Sequence, residues 1–380
     1  MTQRGLQTEK NILEALRDQT PVRGLPGVRI RSIRPRASEG FDVQFEIESG
    51  DKRVSVFGEI KSELSPKLLE EIAPWIRRMK SLRQGVVFAL LCPVLSPRSQ
   101  AFCIQNGIDF LDLAGNISVN VPGVLTLQRL GMRSTEGASK PSSLPATNPF
   151  SGRSSRVLRV LLEKTRPWTG TEIAKELQIQ SNIIARTLPN ASISFGITLG
   201  AISKVISSLD EQLWIRRQGS SITVPEPRRL LLEWAEKYKE RYRWRLRSSF
   251  ETSNPLGGTP TEISAGLQPL IRGPYAFTGA AAATDAPFVN VDRADVFLIQ
   301  GEPDKRLRAL DLRQGFTTIP KLRFIYAYDE GVLLYARNDT SFPRVSNIQA
   351  YLDLYARGGR DLKQAGYLLD NAIAPKWEVT

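Results

Sequence analysis

The chain has 380 residues, 41% of them hydrophobic and 24% charged, a composition that builds packed cores in two or three domains. Its formal net charge is +13 and it has no histidine, which excludes histidine-ligated zinc, Ser–His and Cys–His nucleophile pairs and histidine general bases. Any catalysis must rest on carboxylates, lysines, hydroxyls and a hard metal such as magnesium.

No apolar run reaches the roughly 18 residues of a membrane span, and Met1-Thr2-Gln3-Arg4 lacks the start of a secretory signal. Cys92 and Cys103 form no metal-ligand pattern and are expected to be reduced thiols. The expectation is a cytoplasmic protein with no membrane partner. Charge is uneven. Residues 1–132 hold 18 Lys+Arg against 14 Asp+Glu, 153–247 hold 18 against 9, and 248–380 hold 14 against 15. Such a basic middle points to a nucleic-acid footprint.

In chain order, residues 41–48 (FDVQFEIE) and 53–61 (RVSVFGEIK) alternate around Ser49-Gly50-Asp51-Lys52, which predicts a β-hairpin. Pairing Glu48 with Arg53 places Asp42 opposite Glu59. One face then carries Phe41, Val43, Phe45, Ile47, Val54, Val56 and Ile60, and the other Asp42, Gln44, Glu46, Glu59 and Lys61. Opposed carboxylates repel, and a magnesium ion held by Asp42 and Glu59 would relieve that, with Lys61 stabilising phosphoryl charge. The pattern Asp42…Glu59-Ile60-Lys61 resembles the PD-(D/E)XK signature of restriction-endonuclease-like folds. The resemblance implies a helix (Pro66–Leu82), a buried strand (Gly85–Cys92), a helix (Ser96–Asn106) and a further strand, and the sequence supplies apolar patterns for each. Asp112 and Asn116, in the stretch Asn106–Asn116, are either polar site residues or a turn in which Asp112 binds backbone N–H groups.

Residues 133–152, rich in Ser, Pro, Gly and Ala, read as a linker. Beyond them Arg156–Glu163 reads as a short amphipathic helix. Thr169 with Glu172 forms a capping box that opens a second helix at Thr169–Leu177, and the stretch Thr169–Ile179 resembles the second helix of winged helix–turn–helix domains. A recognition helix is expected over Ser194–Leu209, with Ile197, Ala201, Val205 and Leu209 facing the core and Thr198, Gly200, Ser203, Lys204 and Ser207 facing a groove. The 16 residues Gln178–Ile193 exceed a tight turn. They contain either an inserted helix at Ser181–Leu188 or a sign that the recognition helix lies elsewhere. Leu213–Val224 alternates around Gly219-Ser220 as a hairpin wing. The expected DNA contacts are Thr169, Thr171, Ser194, Thr198, Ser203, Lys204, Arg216 and Arg217, joined by Arg241 and Arg245 from the long basic helix 228–247. Its stripe Leu231, Trp234, Tyr238 and Tyr242 is expected to face a core.

The tail is expected to hold strands at Val296–Gln300, Phe324–Tyr328 and Val332–Ala336, and a helix pair at Ser346–Ala356 and Arg360–Ala374. The Ala-rich run after Gly279 lacks a phosphate-loop lysine. The expected fold class is therefore α/β + α. A restriction-endonuclease-like domain (1–132) precedes a linker (133–152), a central winged helix–turn–helix (153–227) and an α+β domain (228–380).

Several stretches resemble AbiEi-family antitoxins and transcriptional regulators of type IV toxin–antitoxin systems. They are Gly58-Glu59-Ile60-Lys61, Gly107–Asn116, Arg229–Ala235, Tyr275–Gly279 and Gln349–Leu354. The resemblance implies promoter binding and autoregulation. It also implies a toxin partner of nucleotidyltransferase type; double-stranded DNA and a second copy of the chain are the other expected partners. DNA binding would require no cofactor. The alternatives are a DNA endonuclease targeted by its winged helix, which would require magnesium, and a mobile-element or plasmid DNA-binding protein that nucleates a complex on DNA.

Overall fold

The computed structural model describes residues 3–35, 41–82, 86–132, 147–188, 192–247, 250–283, 293–299, 321–338 and 342–378. The chain divides into two compact units, Met1–Ala146 with Asp210–Leu213, and Thr147–Leu209 with Trp214–Thr380. Among the described residues, no helix is long and apolar enough to cross a membrane.

The first unit runs α1 (Gln3–Arg17), β1 (Val28–Pro35), β2 (Val43–Ser49), β3 (Lys52–Ile60), α2 (Pro66–Leu82), β4 (Val87–Cys92), α3 (Pro97–Gln105), β5 (Asp109–Asp112), β6 (Ile117–Val121) and β7 (Leu125–Arg129). The seven strands form one sheet in sequence order. Neighbours are antiparallel except β3–β4 and β4–β5, where α2 and α3 supply the crossovers that parallel pairing requires. β4 reads Val-Phe-Ala-Leu-Leu-Cys and is buried throughout, because apolar side chains cover both faces of the central strands. Phe45, Val56, Leu91 and Leu111 pack with Ile12 and Leu16 of α1. On the other face, Leu90 and Phe110 pack with Leu69, Ile76 and Cys103 of α2 and α3. Arg129 of β7 donates to the carbonyls of Pro21 and Arg23, which ties the last strand to the loop before β1.

The hairpin has the expected register, with Glu48 opposite Arg53 and Val43 opposite Gly58. Phe41 is a correction. It lies with Phe57 and Phe88, ring centroids 5.5 and 5.2 Å away, and not with Val43 and Phe45. β2 begins at Val43, so the alternation of the strand does not extend back to Phe41.

The second unit contains α4 (Ser155–Glu163), α5 (Gly170–Thr187), α6 (Leu199–Glu211), a two-stranded hairpin β8 (Arg216–Gln218) and β9 (Ser221–Thr223), and α7 (Pro227–Arg247). There follow β10 (Phe250–Thr252), α8 (Pro260–Leu267), β11 (Tyr275–Thr278), β12 (Arg293–Leu298) and β13 (Lys321–Tyr326). The chain continues through α9 (Asn347–Arg357), α10 (Asp361–Leu368) and α11 (Pro375–Glu378). The second sheet has the order β10-β13-β12-β11, with only β12–β13 parallel. The stretches 153–227 and 228–380, expected as separate domains, share a core. Val157 and Leu161 belong to one cluster with Trp234, Tyr238, Leu333 and Tyr351. The end of the expected linker belongs here too: Phe150 is buried and its carbonyl accepts from Trp234 Nε1 at 3.1 Å. The rest of that linker, 133–146, lies outside the described residues.

Three further expectations change. The second helix and the inserted helix are one continuous α5, since no Gly or Pro interrupts Leu177–Thr187 and Leu177, Ser181 and Ile184 are all buried. Helix α6 starts at Leu199 rather than Ser194. Phe195 is buried and its N–H is held by Ser181 Oγ at 2.9 Å, which keeps the preceding segment against α5. The core stripe of α6 is Ile202, Val205, Ile206 and Leu209, while Ile197 and Ala201 are half-buried. Finally, Glu330–Leu333 is a 3₁₀ turn, not a strand. Asp329 caps it by accepting from Gly331 N, and Tyr335 at φ 61 turns the chain away from extended geometry.

Candidate functional site

Two places hold the predicted site residues, one in each unit. In the first, Asp42 stands immediately before β2 and Glu59 near the end of β3, adjacent in the register that pairs Val43 with Gly58. Asp42 N donates to Gly58 O at 3.1 Å, and Asp42 Oδ2 accepts from Ile60 N at 2.7 Å. Lys61 follows the strand, and its Nζ lies 2.7 Å from Glu59 Oε1. Glu59 and Lys61 keep 21% and 36% of their side-chain surface exposed, so the pair faces solvent at one end of the strands. Gly58 is fixed by packing. A Cβ there would sit 2.2 Å from Leu91 Cδ1 and 2.8 Å from Val43 Cγ1.

Two carboxylates form an all-oxygen donor set of the kind that holds magnesium, whose remaining positions are filled by water and phosphate oxygens. Among the described residues, no group of three or more Cys, Asp or Glu gathers as a closed metal cage. Asp42 and Glu59 thus offer only oxygen donors, the type a hard, water-rich divalent cation takes, and too few for a closed protein cage.

Asp112 and Asn116 prove architectural. The Asp112 carboxylate accepts from Leu95 N at 2.9 Å, Asn116 N at 2.8 Å and Asn116 Nδ2 at 2.8 Å. Asn116 in turn brackets Met132 through both its amide atoms. Burial raises the Asp112 pKa, opposed by those N–H donors. The two thiols are no nucleophiles. Both are buried, and burial pushes the Cys103 pKa up to about 12.

In the second unit, Thr169 caps α5 in a full capping box with Glu172. Its hydroxyl accepts from Glu172 N and donates to Glu172 Oε2 at 2.9 Å, which commits that group to the helix end. Thr171 is exposed in the first turn. Ser194 is exposed ahead of α6, and its carbonyl accepts from Arg156 Nη1. Thr198 Oγ1 accepts from Ala201 N at 3.2 Å as α6 begins. Gly200, Ser203 and Lys204 are exposed along α6, while Ser207 is half-buried. Around the start of α6, Arg153, Ser154, Gly196, Thr198 and Ala201 line a cleft of about 440 Å³.

Arg216 and Arg217 are exposed on β8, opposite Thr223 and Ile222. Ile222 also bridges to Trp168, which precedes α5, and so docks the hairpin on the helices. No ion pair is found for Lys204, Arg216 or Arg217 among the described residues. Arg241 is exposed on α7, its guanidinium carbon 5.8 Å from the Tyr242 ring centre. The Arg245 side chain lies outside the described residues. The stripe Leu231, Trp234, Tyr238 and Tyr242 is core, as expected.

Sequence reasoning passed over the arginines of β1. Arg29, Arg31 and Arg34 are all exposed, and their uneven spacing hid the shared face described below.

No family model matches the chain, and no curated protein matches it. Among solved structures, the apo form of EndoMS is similar over 28% of this chain and 45% of that chain, at 17% identity and a TM-score of 0.21. This chain therefore covers less than half of that structure's length, and a likeness of that degree carries no argument about fold or function.

Proposed function

We propose that the protein is a sequence-specific DNA-binding regulator whose DNA reader is the segment α4–β9, arranged as a winged helix–turn–helix. The observation that carries this reading is the exposed set Gly200, Ser203 and Lys204 on one side of α6, with Thr198 exposed just before the helix, together with a hairpin that displays Arg216 and Arg217. Small and hydroxyl side chains allow a helix to approach base edges closely, while arginines on a wing hold phosphates. The excess of cations in residues 153–247 supports the same reading. In its antitoxin form, the regulator binds its own promoter and a cognate toxin.

A second reading, magnesium-dependent DNA cleavage, is favoured by the convergence of Asp42, Glu59 and Lys61 and by the order of β1–β2–β3–α2–β4, which suits the restriction-endonuclease-like core. Asp42 and Glu59 would hold the ion. When bound, a hard divalent cation supplies Lewis-acid polarisation of a phosphodiester oxygen. Lys61 offsets negative charge on the phosphoryl oxygens, and the Ile60 N–H keeps the Asp42 carboxylate oriented.

One experiment separates the readings. Labelled duplex from the gene's own upstream region is incubated with the protein, with magnesium and with chelator, beside Glu59→Ala/Lys61→Ala. Shifted, intact DNA in every lane supports the regulator. Magnesium-dependent fragments that vanish in the double variant make the protein an endonuclease. Absence of any shift sinks the DNA reading.

A further inference from the structure

β1 is the outermost strand of the N-terminal sheet. Its register pairs Arg29 with Glu48 and Arg31 with Glu46, then slips, so that Arg34 pairs with Gln44. Residues directly opposite one another share a face of a sheet. Arg29, Arg31 and Arg34 thus stand on the face of Gln44, Glu46 and Glu48, a row that runs toward the end of β2 that Asp42 precedes. In a regular strand, the three-residue step from Arg31 to Arg34 would turn Arg34 toward the buried face of Phe45 and Ile47. A bulge at Ser32–Ile33 prevents this, with Ser32 at φ 52, a left-handed conformation disfavoured for any residue with a Cβ. Bulges of this kind re-aim side chains beside functional sites.

The acidic residues on this face are already matched. Glu48 lies 3.3 Å from Arg31, and Arg53 approaches Glu46 and Glu48 at 3.9 and 4.0 Å. Among the described residues, Arg29 and Arg34 have no ion pair. The edge of β1 borders a groove of about 460 Å³, lined in part by Arg23, Arg29 and Arg31. Pairing with an added peptide strand is obstructed there. The Gln19 side chain occupies both backbone groups of Ile30, donating to its carbonyl at 2.9 Å and accepting from its N–H at 2.6 Å. What suits the groove is a polyanion.

We propose that Arg23, Arg29, Arg31 and Arg34 form a track for the phosphodiester backbone of a DNA strand, directed toward Asp42. The identity of the polymer rests on the DNA reading above, and the track adds a DNA-binding surface in the N-terminal unit that the reading does not contain. Each arginine offers a planar fork that suits phosphate oxygens.

The test is anisotropy of a labelled duplex with the full chain in chelator, across a series of salt concentrations. Arg29→Ala/Arg34→Ala should lower the slope of log affinity against log salt by about 2, at roughly 0.9 for each phosphate that is no longer neutralised. Arg29→Lys/Arg34→Lys should keep most of it. Both side chains are exposed, so circular dichroism should match the wild type; if the double variant melts early, Arg34→Gln alone carries the test with a drop of about 1. Unchanged slope and affinity in the alanine pair, with weakened binding in Arg216→Ala/Arg217→Ala, overturns the track and leaves the reader in place. Salt-independent binding, or none, by the wild type overturns both.

Discussion

The Asp42 carboxylate accepts the Ile60 N–H at 2.7 Å, so the first acidic residue of the N-terminal site is bonded to the strand between Glu59 and Lys61. A single hydrogen bond thereby couples the start of β2, the end of β3 and the spacing of the site.

That bond separates architecture from chemistry. Asp42→Asn retains an acceptor for Ile60 N–H and should cost under about 1 kcal/mol, whereas Asp42→Ala leaves that donor unmatched and should cost about 1–3 kcal/mol. Both variants remove the charge that would hold a metal under the cleavage reading. Urea unfolding alongside calorimetric titration with manganese distinguishes the two roles. Equal destabilisation by Asn and Ala would show that the hydrogen bond is not what matters at this position.

Asp112 should behave as a structural residue throughout. Asp112→Ala abandons the N–H groups of Leu95 and Asn116 in a buried site and is expected to cost about 2–4 kcal/mol. DNA affinity per folded molecule should be unaffected. A variant that unfolds normally yet no longer binds DNA would make Asp112 a DNA-contacting residue instead.

On the second unit, Thr169→Ala removes the cap of α5 and should cost about 1 kcal/mol, while Thr169→Ser should cost little. Lys204→Ala should leave unfolding unchanged and lower the salt slope of DNA binding by about 1. Thermal melts paired with anisotropy read both quantities. If Thr169→Ala weakens DNA binding with no change in melting, the hydroxyl serves the ligand and not the helix.

Asp353 gives a pH dependence of definite sign. It accepts from Tyr238 Oη at 2.7 Å and Gln349 Nε2 at 2.9 Å, and from the Thr278 hydroxyl. Burial raises its pKa in spite of these donors. The folded state therefore holds the proton more tightly than the unfolded chain. Its contribution to stability is fully present below the unfolded carboxylate range near 3.9 and is lost as pH rises through the raised folded value. Asp109, Asp112 and Glu163 are raised by burial as well, so the measurement is a difference. The stability gap between wild type and Asp353→Asn should move in favour of Asn as pH rises from about 4 to 7. A gap that is flat with pH would show that Asp353 titrates alike in both states.

Periodicity and spacing determined much of this protein without any tertiary information. The alternation of 41–48 and 53–61 around a four-residue turn set the register from Glu48–Arg53 to Val43–Gly58, because a two-residue period fixes which residues share a face and the turn length fixes the offset. The apolar run Val87–Cys92 announced a central strand, and Thr169 with Glu172 announced the start of α5. Such signals are local, carried by neighbours in the chain. What required the tertiary structure was non-local. Ser181 holds Phe195 across fourteen positions and so moves the start of α6. Phe41 leaves its strand to join Phe88, and Val332–Leu333 turns instead of extending because Asp329 caps the segment. The common face of Arg29, Arg31 and Arg34 was hidden for a related reason: a bulge changes the parity of a strand, and only pairing with β2 reveals where the extra residue falls.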